Sequence, residues 1–172
     1  MAIPPEQSVR QLATDVREGN RSSIDLVEAS LDGIDANAEL NTFITVIDDA
    51  RDRAREADAA ATREDDLGPL HGVPVGVKDL RGRKQGVRHT LGLEQLADNV
   101  ATSDSITVER LEAAGAVIVG KTNTPAFGHT IKTENRIVGA TPTPFDHERS
   151  AGGSSGGSAA ALAAGIVPLA TG

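Results

Sequence analysis

Several residue types that commonly carry function are scarce or absent in this sequence. Its 172 residues contain no cysteine, tryptophan or tyrosine and only three phenylalanines. Without cysteine the chain has no disulfide bond, no thiolate ligand for a metal and no cysteine nucleophile. The lack of aromatic residues also argues against a surface on which the bases of single-stranded nucleic acid could stack.

Positive charge is in deficit, since 17 lysines and arginines stand against 25 aspartates and glutamates, a net charge of −8. Nucleic-acid binding depends on clustered cations, so an acidic chain is a poor candidate for it. No apolar run approaches the ~18–20 residues of a membrane helix, and the N-terminus lacks the pattern of a signal peptide. We therefore expect one cytoplasmic domain that binds neither nucleic acid nor membranes.

Hydrophobic periodicity predicts a mainly helical segment over residues 1–66 and a sheet-forming segment over residues 67–172. The predicted helices begin at Val9, at Ile24 after an N-cap at Ser22 or Ser23, at Asp48, at Ser103 or Asp104, and at Gly156. The predicted strands are residues 43–47, 71–77, 116–119 and 166–170. Strands separated by helices indicate an α/β fold with a mixed or parallel sheet between helical layers. The chain ends directly after a predicted strand, so we expect the domain to be incomplete.

The densest functional signal is residues 151–165, AGGSSGGSAAALAAG. One interpretation is a flexible glycine–serine linker. The other is a loop at a helix N-terminus, whose backbone N–H groups and hydroxyls suit an anion or an oxyanion. The alanine-rich run that follows is strongly helix-forming, which favours the second interpretation. The phosphate-binding patterns GxxxxGK[ST] and GxGxxG are absent.

Lys78 follows the apolar run of residues 73–77 and is the second candidate. On the residues alone, a solvated lysine at a strand end is the favoured interpretation. The alternative is a lysine buried at the edge of the sheet, where desolvation lowers its pKa so that the neutral amine accepts a proton. Such a lysine can pair with a serine in place of a Ser-His-Asp triad.

The remaining polar residues carry weaker signals. The four histidines, His71, His89, His129 and His147, have no metal-ligand spacing, so we expect no metal site. Residues 120–125 (GKTNTP) follow a buried strand, where they fit a ligand-facing loop and a simple turn equally well.

Three segments, in this order, resemble the amidase signature family, the Ser-cisSer-Lys hydrolases. Residues 68–80 (GPLHGVPVGVKDL) are similar to the family's strand with the catalytic lysine, and residues 104–128 to the next helix–strand–loop unit. Residues 140–172 are similar to the serine- and glycine-rich signature that leads to the nucleophile loop. The chain is thus identified as the N-terminal portion of a general amidase.

This resemblance implies a mixed sheet surrounded by helices, and hydrolysis of a small-molecule carboxamide to a carboxylate plus ammonia or an amine, without a cofactor. Lys78 matches the family's general base, and Ser154 matches the bridging serine that relays a proton between the nucleophile and the lysine. The Gly153–Ser154 peptide is expected to be cis, with Ser154 Oγ in hydrogen-bond reach of Lys78 Nζ. The expected supporting loop residues are Gly152, Gly153, Ser155, Gly156 and Gly157.

Departures from the family pattern leave room for different functions. The family's nucleophile loop, T/S-D-x-G-G-S, would follow residue 172, so the chain alone is expected to be inactive. The apolar runs at residues 116–119 and 166–170 would then lack neighbours, and we expect association with a second copy or with the remainder of an amidase chain. A non-catalytic remnant or binding module and a fragment like the amidotransferase A subunit also remain open. Leu80 and Ala126 differ from the residues common in amidotransferases, which favours a general amidase.

Overall fold

A four-stranded mixed sheet forms the centre of the computed structural model, which describes residues 7–63 and 67–172. In spatial order its strands are β1 (Phe43–Val46), β3 (Val117–Thr122), β2 (Pro74–Lys78) and β8 (Leu169–Ala170). The strand β2 runs parallel to β3 and β8, whereas β1 is antiparallel to β3. The sheet therefore includes one strand from the segment before residue 67. The polar break expected near residues 64–66 lies outside the described residues.

Five α-helices surround the sheet within the described ranges: α1 (Val9–Arg17), α2 (Ser23–Ala36), α3 (Ala50–Thr62), α4 (Ile106–Ala113) and α5 (Gly156–Ala163). The mixed sheet with surrounding helices confirms the expected fold class. Ser22 caps α2, because its side chain accepts a hydrogen bond from the Asp25 amide. The predicted start of α4 was wrong, since Ser105 is its N-cap and Asp104 instead accepts from the Gln85 amide.

Two short hairpins lie between β3 and α5. One joins β4 (Glu134–Asn135) to β5 (Gly139–Ala140), and the other joins β6 (Pro142–Thr143) to β7 (Asp146–Ser150). All five residues of β7 are exposed. The sequence analysis predicted neither hairpin, because such short polar strands have no hydrophobic alternation.

The core lies on both faces of the sheet. On one face, residues of α2, α3 and α5 pack against Val117 and Val119 of β3. On the other face, Val108 of α4 packs against Val75, Val77 and Ile118. A third cluster joins α1 to α2 around Leu12, Val16, Leu26 and Val73.

The expected exposure was wrong for residues 116–119, whereas residues 166–170 end in β8, an edge strand of the four-stranded sheet whose two residues are partly buried. The strand β3 lies between β1 and β2, so that Val119 is fully buried and Val117 nearly so. Ile166 and Val167 are also buried, against the face that α2 and α5 cover. The strand β1 supplies the neighbour of β3 that the sequence analysis expected from later strands. None of the helices in the described residues has the length and apolar character needed to cross a membrane.

Candidate active site

Lys78 is the last residue of β2, and its side chain points toward the loop before α5. It is buried, with 6% of its surface exposed, so the interpretation as a solvated lysine was wrong. Its Nζ donates hydrogen bonds to Ser154 Oγ and to Ser155 Oγ, both over 2.8 Å. The Gly153–Ser154 peptide bond is cis. The structure thus brings Lys78 and Ser154 into the contact expected from the sequence.

The environment of Lys78 favours the neutral amine. Burial lowers the pKa of Lys78 below the ordinary lysine value, and the positive charge of Arg81 lowers this pKa further. An amine with a lowered pKa is neutral for a larger part of the time, and only the neutral form can accept a proton. The pair is thus a lysine with a lowered pKa that is hydrogen-bonded to a serine hydroxyl.

The glycines before Ser154 let the loop lie against the neighbouring chain. A Cβ atom at Gly153 would lie 2.8 Å from the carbonyl carbon of Ile131 and 2.9 Å from the carbonyl oxygen of Thr130. The carbonyl oxygen of Gly152, whose φ is 83°, accepts a hydrogen bond from the Thr133 amide over 3.0 Å. Because these contacts fix its path, the segment is a packed loop and not a flexible linker.

The first turn of α5 packs just as closely. The Gly156 amide donates to Thr133 Oγ1 over 3.0 Å, and a Cβ atom at Gly157 would lie only 2.3 Å from the backbone nitrogen of Asn123. Ser155 occupies the N-cap position but makes no side-chain cap hydrogen bond. Its hydroxyl instead contacts Lys78, a contact that the sequence analysis missed when it gave Ser155 only a supporting role in the loop.

Three hydroxyl residues connect β2, β3 and α5 beside Lys78: Thr122, which lies in the candidate segment 120–125, and Ser158 and Thr171, which the sequence analysis missed. Ser158 Oγ donates to the carbonyl oxygen of Thr171 and lies 2.6 Å from Thr122 Oγ1. Thr171 Oγ1 accepts from the Lys78 amide over 2.9 Å. The only signal in the sequence was the position of Thr122 and Thr171 at strand ends.

Residues 120–125 are buried and contact the Ser154 loop. Thr124 is fully buried, and its hydroxyl donates to the carbonyl oxygen of Ser154 over 3.2 Å. The Asn123 side chain donates to Thr141 Oγ1 over 2.8 Å. Asn135 of β4 donates to the Thr124 carbonyl over 2.9 Å, so the first hairpin is bonded to the same loop.

A cluster of buried charged and polar residues lies at the end of β2, on the side away from the Lys78 side chain. Lys121 Nζ donates to Asp79 Oδ1 over 2.6 Å, and His89 Nδ1 lies 3.1 Å from the same oxygen. The other carboxylate oxygen of Asp79 accepts from the Thr90 amide over 2.9 Å and from Thr90 Oγ1 over 2.6 Å. The side chains of Asp79 and Lys121 have no exposed surface. We call these four residues the Asp79 cluster.

Burial is the largest influence on both charged groups of this cluster. For Asp79 the hydrogen bonds with His89, Lys121 and Thr90 and the charge of Lys121 together outweigh burial, and the pKa of Asp79 lies below its usual value. Burial lowers the pKa of Lys121, and the carboxylate of Asp79 opposes this change. No local pattern in the sequence indicates this cluster, because its residues are separated by up to 42 positions.

Among the residues described, no group of histidines and carboxylates could hold a metal ion. His71 Nε2 lies 2.9 Å from the carbonyl oxygen of Ala57, and His89 belongs to the Asp79 cluster. His129 and His147 are exposed.

Comparisons with known proteins place nearly the whole chain among one group of relatives. The chain is 40% identical over 171 residues to an acylamidase of Rhodococcus erythropolis, covering 96% of this chain and 35% of the relative. It is 43% identical over 167 residues to the A subunit of a glutamyl-tRNA(Gln) amidotransferase of Salinispora tropica, covering 96% and 34%. The native peptide amidase of Stenotrophomonas maltophilia superposes with a TM-score of 0.87 at 32% identity, covering 94% of this chain and 35% of that one.

The chain thus spans about a third of the length of the relatives that it matches, 34–35% in these cases. The model of the Amidase family matches residues 25–172, a range that includes the sheet, Lys78 and the loop around Ser154. Together these matches show that the chain belongs to the amidase family, the amidase signature enzymes.

Proposed function

We propose that a polypeptide containing these residues hydrolyses the C–N bond of a linear amide, with Lys78 and Ser154 as catalytic residues. The observation that supports this proposal is the 2.8 Å hydrogen bond from buried Lys78 Nζ to Ser154 Oγ. Burial of Lys78 penalises its charged form, which favours the neutral amine. The neutral amine can accept a proton from a serine hydroxyl.

In the proposed reaction Lys78 and Ser154 act as a proton relay. The neutral amine of Lys78 takes the Ser154 proton, and Ser154 Oγ takes the proton of a nucleophilic hydroxyl held next to it. That hydroxyl attacks the amide carbonyl, and the relay then returns a proton to the leaving nitrogen, which departs as ammonia or an amine. Water reacts with the acyl-enzyme in the same way, giving the carboxylate and restoring the hydroxyl.

The names of the relatives suggest the substrate class. An acylamidase and a peptide amidase are among them, which supports a small-molecule amide as the substrate. The 43% identity to the A subunit of an amidotransferase supports a second candidate, release of ammonia from glutamine for transfer. Assays with simple acyl amides and with glutamine, run side by side, distinguish the two.

The test protein joins residues 1–172 to the part of the R. erythropolis acylamidase that the alignment leaves uncovered; we call it the fusion protein. We expect Lys78→Met and Ser154→Ala each to lower kcat by roughly 10³-fold or more, because each removes one member of the relay. Lys132→Met is the matched control, since the Lys132 side chain is 62% exposed and lies outside the site.

Two results would contradict the proposal. The first is Lys78→Met with the activity of the unsubstituted protein. The second is a fluorophosphonate probe bonded to Ser154, because a relay serine is not the nucleophile. A folded fusion protein that hydrolyses neither simple amides nor glutamine would favour the non-catalytic remnant.

A further inference from the structure

The Asp79 cluster has no part in the proton relay, although it contains two fully buried charged side chains next to Lys78. Burying an ion pair costs desolvation energy that its attraction seldom more than offsets, and apolar replacements are often neutral or stabilising. Stability alone therefore does not account for the pair. The position of the cluster suggests a different role.

The cluster connects three segments at the end of β2. Asp79 directly follows Lys78, and its amide donates to the carbonyl oxygen of Thr122 at the end of β3 over 3.1 Å. Its carboxylate contacts Lys121 of β3 and Thr90 in the loop after β2. The backbone that carries Lys78 is thus held from β3 and from the loop at the same time.

The same cluster reaches the Ser154 side of the relay through the loop around Thr90. Thr90 Oγ1 accepts from the Gly92 amide over 3.1 Å, and Leu91 accepts at its carbonyl from the Phe127 amide over 2.8 Å. A Cβ atom at Gly92 would lie 2.6 Å from the carbonyl oxygen of Thr124, so these loops are in direct contact. Thr124 in turn donates to the carbonyl of Ser154.

Both partners of the relay are therefore connected to one carboxylate, Lys78 through the adjacent peptide and Ser154 through Thr90, Gly92 and Thr124. We propose that Asp79, Lys121, His89 and Thr90 are positioning residues that set the separation of Lys78 Nζ and Ser154 Oγ. This inference rests on the proposed function. A displacement of about 1 Å at a reacting group can lower a rate by roughly 10²-fold, which is the size of effect expected.

Thr90 provides the sharpest test, because it can be changed without changing any charge. Thr90→Val keeps the shape and removes the hydroxyl, whereas Thr90→Ser keeps the hydroxyl that bonds Asp79 and Gly92. In the fusion protein we expect Thr90→Val to lower kcat by about 10–10²-fold while KM changes less than about threefold. We expect Thr90→Ser to retain most of the activity.

A second readout does not depend on activity. The 172-residue chain has only four lysines, Lys78, Lys84, Lys121 and Lys132, so 13Cε labelling resolves each one by NMR. In the unsubstituted chain the pKa of Lys78 should lie below 10.5. With Thr90→Val we expect it to rise toward 10.5, because Lys78 becomes more solvated. Glu112→Gln breaks the 2.7 Å ion pair with Lys84 and should leave the Lys78 titration unchanged.

The double variant Asp79→Asn/Lys121→Met separates positioning from stability and serves if Thr90→Val does not fold. It removes both buried charges together, so it should melt cooperatively near the unsubstituted temperature. We expect its kcat to remain at least tenfold low. The inference would be overturned if the double variant were as stable as the unsubstituted protein and had its full kcat. A Thr90→Val variant with unchanged kcat and an unchanged Lys78 pKa would overturn it too. If the fusion protein hydrolyses no amide, the proposed function fails, and the Lys78 titration still decides the positioning role.

Discussion

Gly157 is packed so closely against backbone atoms of other segments that it leaves no room for a Cβ atom. It lies in the first turn of α5, and a Cβ atom there would be 2.3 Å from the nitrogen of Asn123, 2.7 Å from its carbonyl oxygen and 2.7 Å from that of Thr42. All three are backbone atoms at the ends of other segments, so no side chain can rotate away. Gly157→Ala must push α5 and the Ser154 loop away from β3.

The magnitude follows from two opposing effects. Overpacking a filled site costs about 1–3 kcal/mol, and alanine in place of glycine in a helix recovers about 0.5–1 kcal/mol. We expect a net loss of about 1–2 kcal/mol, which lowers the melting temperature of a chain of this size by roughly 2–8 °C. The shift of α5 should also lower kcat of the fusion protein, because Ser154 and Ser155 precede this helix.

Thermal unfolding followed by calorimetry measures the effect. Gly33→Ala is the matched control, because Gly33 lies within α2 and its Cβ would make only an ordinary 3.4 Å contact with Ile166. That change should raise stability by about 0.5–1 kcal/mol. A Gly157→Ala variant as stable as Gly33→Ala would refute the close packing of α5 against β3.

Two further predictions concern pH and helix capping. Since burial lowers the pKa of Lys78 in the folded chain, the unfolded chain binds more protons between that lowered pKa and 10.5, and stability should rise with pH across this interval. Urea unfolding over a pH series that ends near 10.5 should show a flatter rise for Lys78→Met. Asp58 of α3 accepts hydrogen bonds from the amides of Ser23 and Ile24 over 2.6 and 3.1 Å. Asp58→Ala should therefore cost about 1.5–3 kcal/mol in urea unfolding, whereas Asp52→Ala, whose side chain is 76% exposed, should cost less than about 0.5 kcal/mol.

The helices and buried strands were predictable because their signals are local. Helical spacing from Val9 and the Ser22 cap predicted α1 and α2, and the continuous apolar run before Lys121 predicted β3. Glycine after α4 also matched, since Gly115 has a φ of 86°. Each of these features depends on residues that lie close together in the sequence.

The parts that sequence analysis missed depend on distant residues. That β1 borders β3 could not be read from residues 43–47, because a strand's pairing partner is not encoded in its own pattern. The Asp79 cluster joins residues 42 positions apart, and each of its members has an ordinary explanation at its own position. Likewise, only the resemblance to a family distinguished Lys78 from a solvated lysine; its burial became visible in the structure.

The pH dependence of kcat/KM tests the central claim most directly, that Lys78 acts as a neutral base through Ser154. In the fusion protein we predict an acid limb whose pKa is that of Lys78, below the ordinary 10.5, and loss of this limb together with most of the rate in Lys78→Met. The Lys132→Met control should keep the limb unchanged. An identical acid limb and rate in Lys78→Met would contradict the account.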